Sequence, residues 1–415
     1  MAQTESAMLK KRAQTVRAVP AAKSEATLVI AGYVATRAFA LLVLFAMIFA
    51  DATKDGDSVP RNIWPLVWDE LNAWDAEWLA RIAEHGYFDI PPVGDEPTHW
   101  QSLAFFPGMP YLMKAVSTVT TLSPQVAGIV ISLVSGLVFA FSVAALVRRM
   151  PWVRASALSP VLAALLATTA PMTITFLMPY TEALFLALVG WGLVAIVDKR
   201  WAGAAALVFA AGLVRSTALG LFIVLAIAVV VNARRNPRAW VAVVIAPLGW
   251  AGYLWWSSSH LADVGGYFGA QERGWDSRVD GGVATIAWLT RTLTEETHVG
   301  YILTTATIIA VTLTAAWAFV GWVRALVGDT RTTDLWGRAW PVLLFSCLAI
   351  GQILVSDGLM HSRPRLFLSG VLLLIVVPAV LRNFTTRTSA WLIVTWVVVS
   401  TWFSAFMLVP FEWAI

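Results

Sequence analysis

Charge is scarce in this chain. Only 13% of its 415 residues are Asp, Glu, Lys or Arg, against about a quarter in soluble domains. That scarcity excludes a water-soluble globule and also a disordered, highly charged chain. Cysteine is scarcer still. Cys347 stands alone in an apolar run, so no internal disulfide can form. No basic stripe occurs outside short connectors, which leaves nucleic-acid binding without support. No internal repeat is visible. No His, Cys, Asp or Glu spacing fits a metal-ligand set, and neither a metal nor a cofactor is expected.

What is present is apolar. Hydrophobic residues make up 59%, mean hydropathy is +0.72, and there are 22 Trp, a residue that collects at membrane interfaces. The composition predicts an all-α polytopic membrane protein. The first 27 residues are polar and basic and are expected to form an unordered cytoplasmic amino terminus. The apolar run near 28–50 exceeds the roughly 7–15 residues of a signal-peptide core, so it reads as an uncleaved anchor. Further runs lie near 124–147, 155–177, 180–197, 239–259, 298–323, 339–356, 365–381 and 389–411. The stretch 201–233 has room for two helices with a break near Arg215. About eleven transmembrane helices follow, in one membrane domain over 28–411.

Charge placement orients them. Arg148, Arg149, Arg154, Lys199, Arg200, Arg234, Arg235, Arg238, Arg324, Arg331, Arg338, Arg382 and Arg387 fall in short loops on the side of the amino terminus. Excess Lys and Arg mark the cytoplasm. Of the acids, Glu5, Glu25, Asp198, Asp329 and Asp334 share that side, whereas most of the rest and all five His lie on the other. The expected location is therefore the cell membrane, with the chemistry in two long extracytoplasmic loops, 51–123 and 260–297. Arg37, inside the first span, is expected to snorkel toward the cytoplasm.

In the first loop, Trp78, Leu79, Ile82 and Ala83 recur at helical spacing, with Glu77, Arg81 and Glu84 opposite and Gly86 as a stop. This predicts a short amphipathic helix on the membrane surface. Asp75 at its start reads either as a helix cap or as a catalytic carboxylate. Asp69, in a second Trp-Asp pair, competes for the latter role. Pro107 and Pro110 predict a second interfacial helix over 109–120, on which Lys114 either snorkels or meets a lipid phosphate.

The run Trp74-Asp75-x-x-Trp78-x-x-x-Ile82-Ala83-x-x-Gly86-Tyr87, followed by Phe105-Phe106-Pro107-x-x-Pro110, resembles the PIG-V family of GT-C-type membrane mannosyltransferases. The chain is also similar to actinobacterial enzymes that elongate phosphatidylinositol mannosides. Pro179-Tyr180-Thr181-Glu182 resembles the family's Tyr-Ser-Glu segment, and Val214-Arg215-Ser216-Thr217 its Arg-Ser-Asn stretch with Thr217 in place of Asn. Tyr267 to Gln271, with Trp275, resembles its later Gln…Trp loop, and His361-x-Arg363-Pro364-Arg365 is a loose match. The resemblance implies mannose transfer from a polyprenyl-phosphate carrier to a glycolipid or lipoglycan, with inversion and with Asp75 as base. It also marks Trp74, Trp78, His99, Glu182, Gln271 and Trp275 as candidates for substrate contact.

Such a transfer needs a base for the incoming hydroxyl and cations for the departing phosphate. The outer cations are Arg215, His361, Arg363 and Arg365. Arg215 stands equally well as a partner of Glu182, and the 361–365 cluster as a lipid-headgroup anchor. Pro364 is placed to open the span that follows. Two other functions stay in view. One is a transferase using another polyprenyl-phosphate sugar, such as glucose or arabinose. The other is a secondary transporter, which would carry repeats and midplane polar residues, whereas these spans hold little charge.

Overall fold

A computed structural model describes residues 22–54, 62–92, 99–150, 158–295, 298–328 and 338–411. Lys10, Arg12, Arg154, Asp329, Arg331 and Asp334 of the expected cytoplasmic side lie outside the described residues. Among those described the chain is helical, with no strand and a single isolated bridge between Val279 and Ser356. This is an all-α chain built to sit in a membrane. Six helical segments are long and apolar enough to cross one: Ser24–Ala52, Pro124–Arg148, Pro237–His260, Val299–Leu326, Met360–Leu381 and Thr386–Leu408.

That differs from the eleven crossings expected. The other apolar runs are helical but shorter: Ser159–Thr168, Thr181–Val197, Trp201–Gly212, Ala218–Ala233 and Trp340–Leu354. Apolar composition continues where the helix does not. The run 155–177 breaks after Thr168, turns through Met172 at φ 67°, and resumes as a 3₁₀ helix over Thr173–Leu177. The run 201–233 breaks at 213–217, around Arg215 as expected. The first helix starts earlier than expected, at Ala22, and its Glu25 pairs with Arg148.

The break after Thr168 accounts for Arg37, which does not snorkel. Its side chain is buried, and Nη1 and Nη2 donate to the carbonyls of Thr173 (2.6 Å) and Thr168 (2.5 Å). A helix end inside an apolar body leaves carbonyls without intrahelical donors. Arg37 supplies them, flanked by the rings of Tyr33 and Phe176 at 5.6 and 5.7 Å.

The helices Pro124–Arg148 and Thr181–Val197 pack side by side and share the main core with the 3₁₀ segment Phe367–Val376. Small residues allow the approach: a Cβ on Gly190 would collide with Ser142 Oγ. The first-loop helix is Asp75–His85, ended by Gly86 at φ 80°, and its second helix is Gly108–Thr120. The apolar face of Asp75–His85 is covered by protein rather than by a membrane surface. Leu79, Ala80 and Ala83 pack on Met109, Met113 and Ile131. The next helix is tied down at its start, where Gly108 N donates to Leu213 O at 2.7 Å. A Cβ there would lie 2.8 Å from that oxygen, so the approach requires glycine. The start of the Gly108–Thr120 helix is thereby fixed to the break that carries Arg215.

Candidate active site

Asp75 does not cap its helix. The preceding residue, Trp74, holds φ 59°, ψ −118°, a region costly for a residue with a side chain. The helix start has no side-chain cap, and Asp75 Oδ2 accepts from Arg365 Nη1 at 2.5 Å. Arg365 lies in the short helix Arg363–Leu366, with Pro364 in its first turn as expected. Its guanidinium rests over the ring of Tyr180 at 5.1 Å. Tyr180 in turn donates its hydroxyl to Ala73 O at 3.1 Å, joining the approach to Asp75 to the start of the Thr181–Val197 helix.

Glu182 opens that helix and stands behind Arg365. Its side chain is 3% exposed, with Oε1 3.9 Å from Arg365 Nε. The same oxygen accepts from Arg215 Nη1 at 2.6 Å, and that nitrogen also lies 2.8 Å from Thr181 Oγ1. The paired reading of Arg215 and Glu182 is therefore the one realised. Asp75, Arg365, Glu182 and Arg215 form a row of alternating charge, drawn from four segments that are far apart in sequence. Glu182 is its most buried member, and exposure rises to either end, through Arg365 at 9% to Asp75 at 28% on one side and to Arg215 at 16% on the other. A charge this deep is costly unless paired, and here each one is.

Arg363 and Arg365, two residues apart, are sent to different places. Arg363 is buried, bonding Thr285 Oγ1 and Ser356 O at 2.5 Å each. It clamps the segment around Asp280, where the Asp280 and Gly281 amides also bond Val355 O. Asp280 caps the Val283–Thr294 helix through Gly282 N (2.8 Å) and Ala284 N (2.5 Å). Those donors, the Ala284 amide foremost, hold the Asp280 carboxyl below the usual carboxylate range. His361 is half-buried in the turn Met360–Ser362.

Two of the remaining candidates, Trp78 and Trp275, meet through Phe105. Trp78 stacks on Phe105 (6.3 Å, 19°), and Phe105 meets Trp275 edge-on at 5.7 Å. Trp74 is exposed, and His99 opens the short helix His99–Ser102. Gln271 spends its amide on Ala104 O and the Tyr267 hydroxyl, both at 3.1 Å. It works with three tyrosines: Tyr87 and Tyr267, which lie in the motif segments, and Tyr253, which the motif reading missed. Tyr253 donates to Leu103 O and Phe105 O, Tyr87 to Phe105 O, and Tyr267 to Ala104 O. Burial pushes the Tyr267 hydroxyl up, well away from ionisation at neutral pH. Three adjacent carbonyls are thus held by hydroxyls and one amide, which fixes Phe105 and Phe106. Asp69 is exposed on the Trp64–Leu71 helix, away from the charged row, and Lys114 is exposed as well.

Chemically, the row offers a partly accessible carboxylate beside an arginine whose buried Nε has no hydrogen-bond partner among the described residues. A carboxylate and a guanidinium so placed can serve a hydroxyl and an anionic group once the contact between them opens. No family model matches the chain, and no curated protein matches it significantly.

Proposed function

We propose that this protein is a GT-C-type membrane glycosyltransferase of the PIG-V kind. In this reading it moves mannose from a polyprenyl-phosphate carrier to a glycolipid or lipoglycan on the extracytoplasmic side of the cell membrane. The observation that carries the reading is the 2.5 Å contact between Asp75 and Arg365, backed by the buried Glu182–Arg215 pair. The carboxylate expected to act as base stands beside a cation suited to the departing phosphate.

The step balances without a covalent intermediate. The acceptor hydroxyl oxygen attacks C1 of the sugar as its proton passes to the Asp75 carboxylate. The C1–O bond to phosphate breaks, and its electron pair leaves with the phosphate oxygen. Arg365, and behind it Arg215, stabilise that charge. A single displacement inverts the anomeric centre. The amino terminus is cytoplasmic in this reading. The five shorter apolar helices complete crossings together with their neighbours, which restores eleven spans.

The test is transfer by membranes containing the protein, given labelled polyprenyl-phosphate mannose and a panel of glycolipid acceptors. Glucose- and arabinose-charged carriers run in parallel. Label entering a glycolipid from the mannose donor supports the reading. Transfer only from another sugar replaces mannose, and no transfer from any carrier overturns it.

A further inference from the structure

In the structure as it stands, the candidate base is tied to a cation. Oδ2 of Asp75 already accepts from Arg365 Nη1 at 2.5 Å, so an incoming hydroxyl has to compete with the guanidinium for that oxygen. Base work at Asp75 requires that bridge to open, and the surroundings say what would open it. Among the described residues Arg365 Nε is buried with no hydrogen-bond partner, 3.9 Å from Glu182 Oε1, and Glu182 Oε2 is likewise buried and unpartnered. The guanidinium therefore has unused donor capacity deep in the site. Its planar fork matches two oxygens of a phosphate.

The row holds two cations and two carboxylates, so an arriving phosphate leaves a surplus of negative charge. One carboxylate must give way. Glu182 is 3% exposed and fastened to Arg215 at 2.6 Å, so it has nowhere to go. Asp75 is 28% exposed, at the end of a short helix, and can turn to solvent.

We propose that the Asp75–Arg365 bridge is a donor-operated latch: the phosphate of the donor takes Arg365, and Asp75 is released as base only when that phosphate is in place. This rests on the polyprenyl-phosphate reading above. It adds an order to the reaction, donor before acceptor activation. Asp75 and the phosphate then compete for one guanidinium. Removing the Asp75 carboxylate abolishes turnover yet strengthens donor binding.

The experiment is equilibrium binding of sugar-free polyprenyl phosphate to purified protein in nanodiscs, for wild type, Asp75→Asn, Asp75→Ser and Arg365→Gln. Inorganic phosphate serves as a second probe. Asp75→Asn and Asp75→Ser are expected to bind polyprenyl phosphate about five- to twentyfold more tightly than wild type, the gain from removing a competing partly buried ion pair. Arg365→Gln should bind more weakly. Inorganic phosphate should show the same order of affinities at higher concentration. Two different aspartate replacements are included so that the affinity of whichever folds decides the matter. Equal or weaker binding by the Asp75 variants, with wild type binding well, overturns the latch and leaves the transferase reading intact. Failure of wild type to bind polyprenyl phosphate at all overturns both.

Discussion

Arg365 donates to Asp75 at 2.5 Å across 290 positions of sequence. The contact joins a loop near the amino-terminal end of the chain to the start of a helix near its far end. Neither partner is held by its own segment alone. Asp75 is aimed by the strained turn at Trp74, and Arg365 is seated on the Tyr180 ring with Glu182 behind it.

The separation of Arg363 from Arg365 has a kinetic consequence. In Arg365→Lys, kcat should fall by about tenfold or more, because an ammonium cannot reproduce the guanidinium fork. In Arg363→Lys the bonds to Thr285 and Ser356 are lost, so the melting temperature and folded yield should drop while kcat of the surviving protein stays within about twofold of wild type. Steady-state kinetics beside thermal unfolding of the two variants decide it. A kcat loss confined to Arg363→Lys would reverse their roles.

The Arg215–Glu182 pair should behave as a buried ion pair. Arg215→Met strands a carboxylate that is 3% exposed and should cost about 3–5 kcal/mol. Glu182→Gln in the same protein should recover much of the lost thermal stability. Additive losses in the double variant would show that the two side chains do not depend on each other.

Orientation is open to chemical labelling. In a Cys347→Ser background, single cysteines at exposed positions 89 and 263 should react with an impermeant thiol reagent from outside intact cells. Cysteines at 200 and 235 should react only after permeabilisation. Labelling of 235 from outside would invert the topology.

Asp198 gives a pH-dependent signature on the opposite side. Arg149 holds both its oxygens at 2.6 Å and keeps its carboxyl below the usual carboxylate range. A carboxylate with a depressed folded-state pKa stabilises the protein above its unfolded value. That contribution fades as pH drops through the folded value. Asp198→Asn should therefore melt lower than wild type at neutral pH, with the gap closing in acid below about pH 4. A gap of constant size from neutral pH into acid would show that the pair contributes nothing through its charge.

Much of this was legible in the sequence. The first-loop helix ending at Gly86, the second helix behind Pro107, the break at Arg215 and the opening of a helix at Pro364 all follow from local rules of periodicity and capping. Crossing lengths were not legible. An apolar run through Thr168–Met172 has the same hydropathy whether or not its helix breaks, and the break shows only once Arg37 is seen feeding its carbonyls. The division of labour between Arg363 and Arg365 was equally hidden. It depends on which remote segment each side chain meets. Tyr253 carried no motif, since a buried hydroxyl on the carbonyls of Leu103 and Phe105 follows from packing.

The central claim is that Asp75 is the base in a sugar transfer from polyprenyl phosphate. Its most direct test is initial-rate transfer of labelled mannose by purified wild type, Asp75→Asn and Asp69→Asn, normalised to folded protein. Asp75→Asn should lose about a hundredfold or more, as removal of a positioned base does. Asp69→Asn, changed at an exposed residue outside the charged row, should stay near wild type. Near-normal transfer by Asp75→Asn, or the large loss falling on Asp69→Asn instead, would contradict the account.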